Sequence, residues 1–268
     1  MTIDFKIVVY NIFEGGVDTS GSNRLNAIAT YLKSLDPTVV ILTELNRFDH
    51  LQLSNFAKQW NHSHTTFLHA STGFHLGISS AFPLIELAQL KHDMHHGALL
   101  ISVQINDQTK IGLVATHLNP FSATARTIEA KLITDQLKKQ DLKDWIIGGD
   151  LNSLAECDYV YYEPTTKFTI TDKLKAKFLT SDFKLVDYTT INHLMHEGYI
   201  DTIQESNQFT PSVPTRLEVD PMHALPMRLD YILVTKALSS KLIKANVLNN
   251  ETTAVLSDHY PVMASFRI

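Results

Sequence analysis

A short apolar run ends in a glycine pair and two polar residues at Trp145-Ile146-Ile147-Gly148-Gly149-Asp150-Leu151-Asn152. Bulky apolar residues over so short a span predict a buried strand, and the glycines predict a turn at its end. Such a strand would deliver Asp150 and Asn152 to the edge of a sheet. Functional side chains commonly lie on loops at strand ends, where a rigid scaffold positions them.

Similar apolar runs lie on both sides of this strand. We interpret the following runs as strands: 5–10, 38–43, 76–79, 84–90, 98–105, 110–116, 228–235 and 260–268. Between residues 65 and 116 the runs are separated only by short turns, which is typical of antiparallel hairpins rather than of strict strand–helix alternation. We therefore expect one α/β domain over residues 1–268, with an irregular insert at about 155–220.

Three helices are predicted between these strands. The first ends at Asp36-Pro37, the second covers about 48–60, and the third begins at Ser122 or Thr124. Four residues of the third helix have the spacing expected of a core-facing stripe: Ile128, Leu132, Ile133 and Leu137.

Composition limits the classes of protein to which the chain can belong. Of its 268 residues, 44% are hydrophobic and 19% are charged, which argues against global disorder. The formal net charge is −5, whereas a protein that coats DNA is usually basic. An enzyme that contacts nucleic acid briefly is not excluded by this acidic balance.

Nothing in the sequence predicts export or a membrane span. The first residues lack the basic and apolar regions of a secretory signal, and no apolar stretch approaches the roughly 20 residues that cross a bilayer. Cys157 is the only cysteine, so no intramolecular disulfide can form. We expect a cytoplasmic enzyme, and the sequence does not indicate its oligomeric state.

Polar residues follow several other strands in the way that Asp150 follows residues 145–149. Asn11, Glu44 and His117 each end an apolar run, Asp230 lies at a strand start, and Asp258-His259 precedes the last strand. Each segment taken singly is more often a turn or a solvated surface pair. Their repetition at one strand end after another favours a shared site.

The carboxylates of this set suit a hard divalent cation. Glu44, Asp150 and Asp258 offer the oxygen ligands that Mg²⁺ or Mn²⁺ prefers, and Asn11 offers a neutral amide. A bound cation neutralises the charge that develops during phosphate ester hydrolysis and activates water. The set therefore predicts metal-dependent hydrolysis of a phosphate ester.

The histidines of this set suit proton transfer at neutral pH. His259 and His117 can act as a general base or as donors to phosphoryl oxygens. Asp230 can fix the tautomer of His259 and stabilise its charged form. The amide of Asn152 can hold a phosphoryl oxygen without repelling it.

In this order the segments resemble the endonuclease/exonuclease/phosphatase superfamily, which includes apurinic endonucleases, pancreatic-type DNases, neutral sphingomyelinases, inositol polyphosphate 5-phosphatases and deadenylases. The resemblance runs from Ile7 to Phe266, and it is most specific at 149–152, 228–234 and 257–262. It implies a four-layer α/β/β/α sandwich of the DNase I type, with the site at one edge of both sheets.

The resemblance also implies roles for individual residues. The implied metal ligands, for Mg²⁺ or Mn²⁺, are Asn11, Glu44 and Asp258. The implied catalytic residues are His117, Asp150, Asn152, Asp230 and His259. Asn11 is the implied substrate-binding residue. His95 and His96 are also predicted to bind substrate, because they occupy a position beside the pocket, with solvated loop histidines as the alternative. Which residue acts as the general base is left open between Asp150 and His259.

Two departures from the family pattern concern the substrate. His95-His96 stands where many members have an arginine before Gly97-Ala98, and Ala81 replaces a residue that is usually basic. Both changes remove positive charge and argue against a long polyanion. We therefore expect a small or medium phosphoester as substrate, with DNA or RNA cleavage and a non-catalytic binding module as the alternatives.

Overall fold

The fold is built on strands, most of which lie where the sequence predicts them. A computed structural model describes residues 2–17, 21–163, 165–168, 171–205, 209–217 and 225–268. The strands are β1 (Asp4–Asn11), β2 (Val39–Thr43), β3 (His64–Leu68), β4 (Leu76–Ser80), β5 (Leu84–Leu90), β6 (Ala98–Gln104), β7 (Lys110–His117), β8 (Trp145–Asp150), β9 (Tyr199–Asp201), β10 (Asp230–Thr235), β11 (Leu242–Val247) and β12 (Val262–Arg267).

Helices connect these strands. The α-helices are α1 (Leu25–Leu35), α2 (His50–Ala57), α3 (Ala123–Leu137), α4 (Tyr159–Tyr162), α5 (Asp172–Phe178), α6 (Thr189–His196), α7 (Thr202–Glu205) and α8 (Lys236–Ser239). Short 3₁₀ helices lie at Glu14–Gly16, Lys58–Trp60, Glu156–Asp158, Thr165–Phe168 and Thr253–Val255. None of the described helices is both long and apolar enough to cross a membrane.

The strands form two six-stranded sheets, each with parallel and antiparallel neighbours. The first sheet has the order β11-β12-β1-β2-β4-β3, and the second has the order β5-β6-β7-β8-β10-β9. The sheets pack face to face, with alternate residues of β1 such as Phe5, Ile7 and Val9 in the shared core. Gly148 lets β8 approach β1 closely, since a Cβ atom there would lie 2.7 Å from the side chain of Val9.

Helices cover the outer face of each sheet. The other side of β1, including Val8 and Tyr10, packs under α1 and α2. The outer face of the second sheet packs against α3 and α6. The architecture is therefore the expected four-layer α/β/β/α sandwich of the DNase I type, because each sheet buries one face against the other sheet and one against helices.

The prediction for the buried face of α3 was wrong at one position. Ile133 and Leu137 are buried, but Ile128 is 51% exposed, and the residues that turn inward with them include Arg126 and Glu129. Apolar periodicity cannot identify a helix face that buries charged groups. These two residues bind loops beside the candidate site, as described below.

Three strands were not predicted, namely β3, β9 and β11. They are short or rich in polar residues, so their apolar signal is weak. The segment predicted as an irregular insert contains α4 to α7 and β9, and β9 pairs with β10 at the edge of the second sheet. Positions 164, 169–170, 206–208 and 218–220 of that segment lie outside the described residues.

Strand register brings the polar strand ends together. In the second sheet Asp150 is the register partner of both His117 on β7 and Asp230 on β10. In the first sheet Asn11 is opposite Thr43, the residue before Glu44. Because β1 and β8 are central strands of the two packed sheets, these two rows meet at one edge of the sandwich.

We predict that Gly149→Ala destabilises the fold by about 3 kcal/mol, the upper end of the usual cost of overpacking. A Cβ atom at this position would lie 1.7 Å from the backbone oxygen of Thr116, so β7 and β8 would have to separate. Urea unfolding measures the change in the free energy of unfolding.

The matched control is Gly73→Ala. Gly73 also has a positive φ, of +85°, but a Cβ atom there meets nothing within 4 Å. Its cost should be only about 1 kcal/mol, from backbone strain. Equal losses for the two variants would contradict the close approach of β7 to β8.

Candidate active site

The Asp150 carboxylate is the meeting point of the two sheets. Its Oδ2 accepts a hydrogen bond of 3.3 Å from the Asn11 side chain, which belongs to the first sheet. The same oxygen lies 3.4 Å from Nε2 of His117 and 3.7 Å from Nε2 of His259. Because Asp150 is only 2% exposed, these groups rather than bulk water stabilise its charge.

The turn after β8 holds this carboxylate in place. Oδ1 of Asp150 accepts a hydrogen bond of 2.9 Å from the backbone N–H of Asn152, which has a left-handed φ of 48°. The Asn152 amide in turn donates to the carbonyl of Leu118 at 3.0 Å. This links the turn after β8 to the residue that follows His117, so the predicted catalytic residues of β7 and β8 move as one unit.

His259 and Asp230 form a buried ion pair beside Asp150. Nδ1 of His259 lies 2.7 Å from Oδ2 of Asp230, and both side chains are buried. Burial opposes a charge on His259, but Asp230, Asp150 and Asp258 outweigh it and raise the pKa of His259 to about 10. The structure therefore pairs these residues as the sequence predicts, with His259 as a cation at neutral pH.

His117 differs from His259 although it is equally close to Asp150. Burial, against the opposing charge of Asp150 and with smaller contributions from His259, Lys177 and His95, lowers the pKa of His117 to about 4. His117 is therefore neutral at physiological pH. Two histidines flank one carboxylate, one charged and the other neutral, which is the division that acid–base chemistry requires.

The oxygen ligands predicted for a cation lie at the same edge. Oε1 of Glu44 accepts a hydrogen bond of 2.9 Å from Asn11, and Oε2 accepts one of 3.1 Å from the backbone N–H of Glu14. The hydroxyl of Ser257 donates to the backbone carbonyl of Asn11 at 2.7 Å and lies 3.3 Å from Oδ1 of Asp258, so it connects the loop before β12 to the end of β1. Each ligand is thus positioned by its neighbours before a cation arrives.

The electrostatics of these carboxylates fit a hard cation. Burial and then the charge of Asp258 raise the pKa of Glu44 to about 8. Two carboxylates that repel each other in a poorly solvated site would both be stabilised as anions by a divalent cation. The residues present therefore suit Mg²⁺ or Mn²⁺.

Asp150, Asp230 and His259 also have ligand atoms within 4.8 Å of one another, a spacing that could hold a cation. However, the contact of 2.7 Å commits Nδ1 of His259 and Oδ2 of Asp230 to each other. This trio therefore suits proton transfer better than coordination.

A cavity of about 470 Å³ opens beside Asp150. The predicted substrate residues His95 and His96 line it, together with His117 and Asn152. His96 is 3% exposed, its Nδ1 lies 2.7 Å from the hydroxyl of Thr72, and its ring centroid lies 4.3 Å from that of His117. The histidine pair is thus part of the cavity wall, as predicted.

Lys177 lines the same cavity and was not predicted. It comes from α5, in the segment after residue 155, and is only 2% exposed. Its helix carries several lysines, so the sequence offers no signal that separates the buried one from its solvated neighbours.

Arg126 and Glu129 form a buried polar pair on α3 that binds the loops around this cavity. The two carboxylate oxygens of Glu129 accept hydrogen bonds from the backbone N–H groups of His95, at 2.6 Å, and Asn119, at 2.7 Å. A side-chain acceptor thus ties the turn before β6 to the turn after β7.

The guanidinium of Arg126 binds three further groups. It donates to the carbonyl of Asn119 at 3.1 Å, to the hydroxyl of Ser153 at 2.9 Å and to the carbonyl of Lys177. The planar donor fork of arginine suits such simultaneous contacts, which lysine cannot reproduce. One helix therefore positions the segments that carry His95, His117, Asn152 and Lys177.

Arg228 lies in a motif of the predicted site but has a structural role. Its guanidinium pairs with Asp158 at 2.7 Å and with Asp201 on β9, and Arg228 is fully buried. It therefore connects the segment after residue 155 to the second sheet. A buried pair of this kind is costly to break, since the remaining charge is left without a partner.

Comparisons with known proteins identify the family to which this fold belongs. A model of the Endonuclease/Exonuclease/phosphatase family matches residues 8–259. The chain belongs to this family. No curated protein sequence matches the chain significantly.

Solved structures of family members share the fold at low sequence identity. An AP endonuclease from Archaeoglobus fulgidus is 18% identical with a TM-score of 0.66, over 98% of this chain and 100% of that one. The 3′ phosphatase NExo from Neisseria, bound to product DNA hairpin, is 17% identical with a TM-score of 0.68, over 98% and 99%. An endonuclease/exonuclease/phosphatase from Beutenbergia cavernae is 17% identical with a TM-score of 0.65, over 99% and 72%.

The Asp230 carboxylate is expected to keep His259 charged. In the metal-free protein, an NMR titration of the imidazole ring should show that His259 is protonated at pH 8. Asp230→Asn should lower the pKa of His259, because burial lowers this pKa and the Asp230 charge that raises it is then absent. Since the pKa rises on folding, the charge of His259 stabilises the fold fully below its ordinary pKa of 6.5 and loses this effect as the pH rises through about 10. Asp135→Asn, an exposed change on α3, is the control. An unchanged His259 pKa in Asp230→Asn would mean that the pair does not govern this charge.

The buried polar pair of α3 is expected to be needed for stability. In Glu129→Gln, the side-chain N–H group would face the backbone N–H group of either His95 or Asn119, and one hydrogen bond would be lost. The free energy of unfolding should therefore fall by about 1–3 kcal/mol. Ile128→Gln, an exposed change on the same helix, should alter it by less than about 0.5 kcal/mol. Denaturant unfolding measures both variants. An unchanged free energy of unfolding in Glu129→Gln would refute the role of this carboxylate.

Proposed function

We propose that this protein is a divalent-metal-dependent phosphoesterase that hydrolyses a small or medium phosphoester by attack of water. The observation that carries the proposal is the surroundings of Asp150. One buried carboxylate contacts an amide from the first sheet, a neutral histidine and a charged histidine, and it lines an open cavity. A structural role alone does not require this combination at a cavity.

Glu44 and Asp258 would hold the cation, with Asn11 as a further ligand or as the group that orients Glu44. A bound Mg²⁺ or Mn²⁺ would neutralise charge on the phosphoryl group and lower the pKa of water. Each of these three side chains is positioned at a strand end or in the loop before β12, so little reorganisation would accompany binding.

Asp150 is the acceptor that we propose for the proton of the attacking water. Its carboxylate lies at the cavity, and the Asn152 turn and Asn11 fix its direction. His117, which is neutral, contributes a ring nitrogen beside the same carboxylate. General base catalysis requires an acceptor that is held within hydrogen-bonding reach of the water, which this arrangement provides.

His259 is the donor in this proposal. Its high pKa makes it a poor base at neutral pH but a stable cation that can donate to a phosphoryl or leaving-group oxygen. Asp230 keeps the ring in one orientation through Nδ1, which leaves Nε2 directed toward Asp150. The sequence leaves the general base open between Asp150 and His259. The high pKa of His259 favours Asp150 as the base.

A nuclease is the second candidate. The structures with the same fold include an AP endonuclease and a phosphatase bound to product DNA hairpin. Lys177 is, however, the one lysine or arginine among the described residues that line the cavity, whereas polynucleotide binding usually relies on several cations. A non-catalytic binding module is the third candidate, and the complete set of acid–base and oxygen-ligand groups argues against it.

The test is Mg²⁺-dependent hydrolysis of a substrate panel that contains phosphate monoesters, a generic diester and supercoiled plasmid. Asp150→Ala should lower the rate by about a hundredfold to ten-thousandfold, and EDTA should abolish it. Asp141→Ala, a change to an exposed aspartate, should leave the rate unchanged. Turnover of a small ester that is lost both in Asp150→Ala and in EDTA supports the proposal. Plasmid nicking that is lost under the same two conditions favours the nuclease. Activity that survives Asp150→Ala would refute the assignment of this site.

A further inference from the structure

The cavity beside Asp150 is walled largely by rings. Its lining beyond the catalytic groups includes Phe74, His95, His96, Pro120, Phe121 and Lys177. The ring centroids of Phe74 and His96 lie 5.1 Å apart, and those of His95 and Phe121 lie 5.4 Å apart in an edge-on arrangement. These side chains come from the turns before β4, before β6 and after β7, so three loops together form a surface of rings.

His95 and His96 of this wall are uncharged, at the position where many members of the family carry an arginine. Burial, followed by the charges of His117 and His95, holds the pKa of His96 far below its usual range. Burial also lowers the pKa of His95. At neutral pH both imidazoles therefore present flat, neutral faces and edges, which suit a planar apolar group better than a phosphate.

Phe121 is an exposed aromatic residue in a rigid setting. It is 62% exposed, and its backbone N–H donates to the side chain of Asn119 at 2.8 Å. Asn119 is in turn bound through its backbone by Arg126 and Glu129. An aromatic ring on an anchored backbone, left uncovered at a cavity rim, offers a large contact area to a ligand.

Lys177 supplies a single positive charge to the cavity. Its backbone is fixed by Arg126, and its ammonium lies 5.1 Å from the ring centroid of Phe178. One cation beside the candidate metal site suits one phosphoryl group rather than a row of phosphates.

We propose that this cavity binds the planar, uncharged ring of a small phosphoester, an aryl or nucleobase group, against Phe121, Phe74 and His96, while Lys177 contacts a phosphoryl oxygen. The inference rests on the proposed phosphoesterase function and defines its substrate class. Ring specificity then resides in loops that α3 holds together, apart from the groups that transfer protons.

Binding of two phosphonates in Mg²⁺ tests this inference without turnover, since their C–P bonds are not hydrolysed. Phenylphosphonate carries a ring and ethylphosphonate does not. By titration calorimetry the protein should bind phenylphosphonate roughly tenfold more tightly, the scale expected from one aromatic contact together with buried apolar area. Phe121→Ala should reduce this ratio to about threefold or less.

Two further variants separate ring binding from phosphate binding. Phe183→Ala removes a phenylalanine that is 52% exposed but does not line the cavity, so it should leave the ratio unchanged. Lys177→Met keeps the length of the side chain and removes its charge, so it should weaken both phosphonates by a similar factor. Binding of a single-stranded oligonucleotide tests the alternative that the cavity belongs to a site for a polynucleotide.

The inference is overturned if the two phosphonates bind equally well, or if Phe121→Ala leaves their ratio unchanged. It is also overturned if the oligonucleotide binds more tightly than phenylphosphonate with the salt dependence of several phosphate contacts. Ester hydrolysis that depends on Asp150 is measured alongside. It distinguishes failure of the proposed substrate class from failure of the proposed phosphoesterase function. If it persists while the ring preference is absent, only the substrate class is wrong, and if it is absent too, the phosphoesterase proposal fails.

Discussion

The burial of the Asp150 charge at the junction of two sheets is the constraint on which the rest of the site depends. A carboxylate that is almost completely removed from water must be compensated by donors or cations in the protein. Here the compensation comes from an amide on β1, a histidine on β7, a histidine before β12 and the backbone of its own turn. The two sheets are therefore connected electrostatically as well as by their apolar core.

The different charges of His259 and His117 also follow from the burial of the groups around Asp150. His259 has Asp230 as a second carboxylate partner and remains a cation, whereas His117 is buried without such a second partner, and burial keeps it neutral. Environments that separate the pKa values of chemically identical groups allow one site to provide both proton donors and acceptors. Strand register places His117 beside Asp150, and the loop before β12 brings His259 to the same carboxylate from the first sheet.

Family membership and substrate class depend on different parts of the molecule. The fold is shared with an AP endonuclease and with a phosphatase bound to product DNA hairpin, but fold similarity at 17–18% identity does not transfer a substrate. The cavity wall, with neutral histidines, an uncovered phenylalanine and one lysine, is a property of the loops in this chain. Arg126 and Glu129 hold these loops, so the buried polar pair of α3 is the structural basis of whatever specificity they confer.

The sequence by itself determined the strands that end in polar residues, the family and the set of residues at the centre of the site. It could do so because these features are local: a strand shows in consecutive side chains, and a motif such as Gly149-Asp150-Leu151-Asn152 is continuous in the chain. Only the tertiary structure decided which face of α3 is buried, that Lys177 reaches the cavity, and which histidine carries the charge. Each of these depends on partners that are distant in the sequence, such as His259 for Asp230, 29 residues away, or His95 for Glu129, 34 residues away, or on burial that no local pattern records. Desolvation and long-range electrostatics arise from packing, which is why sequence periodicity predicted the scaffold but not the charges within it.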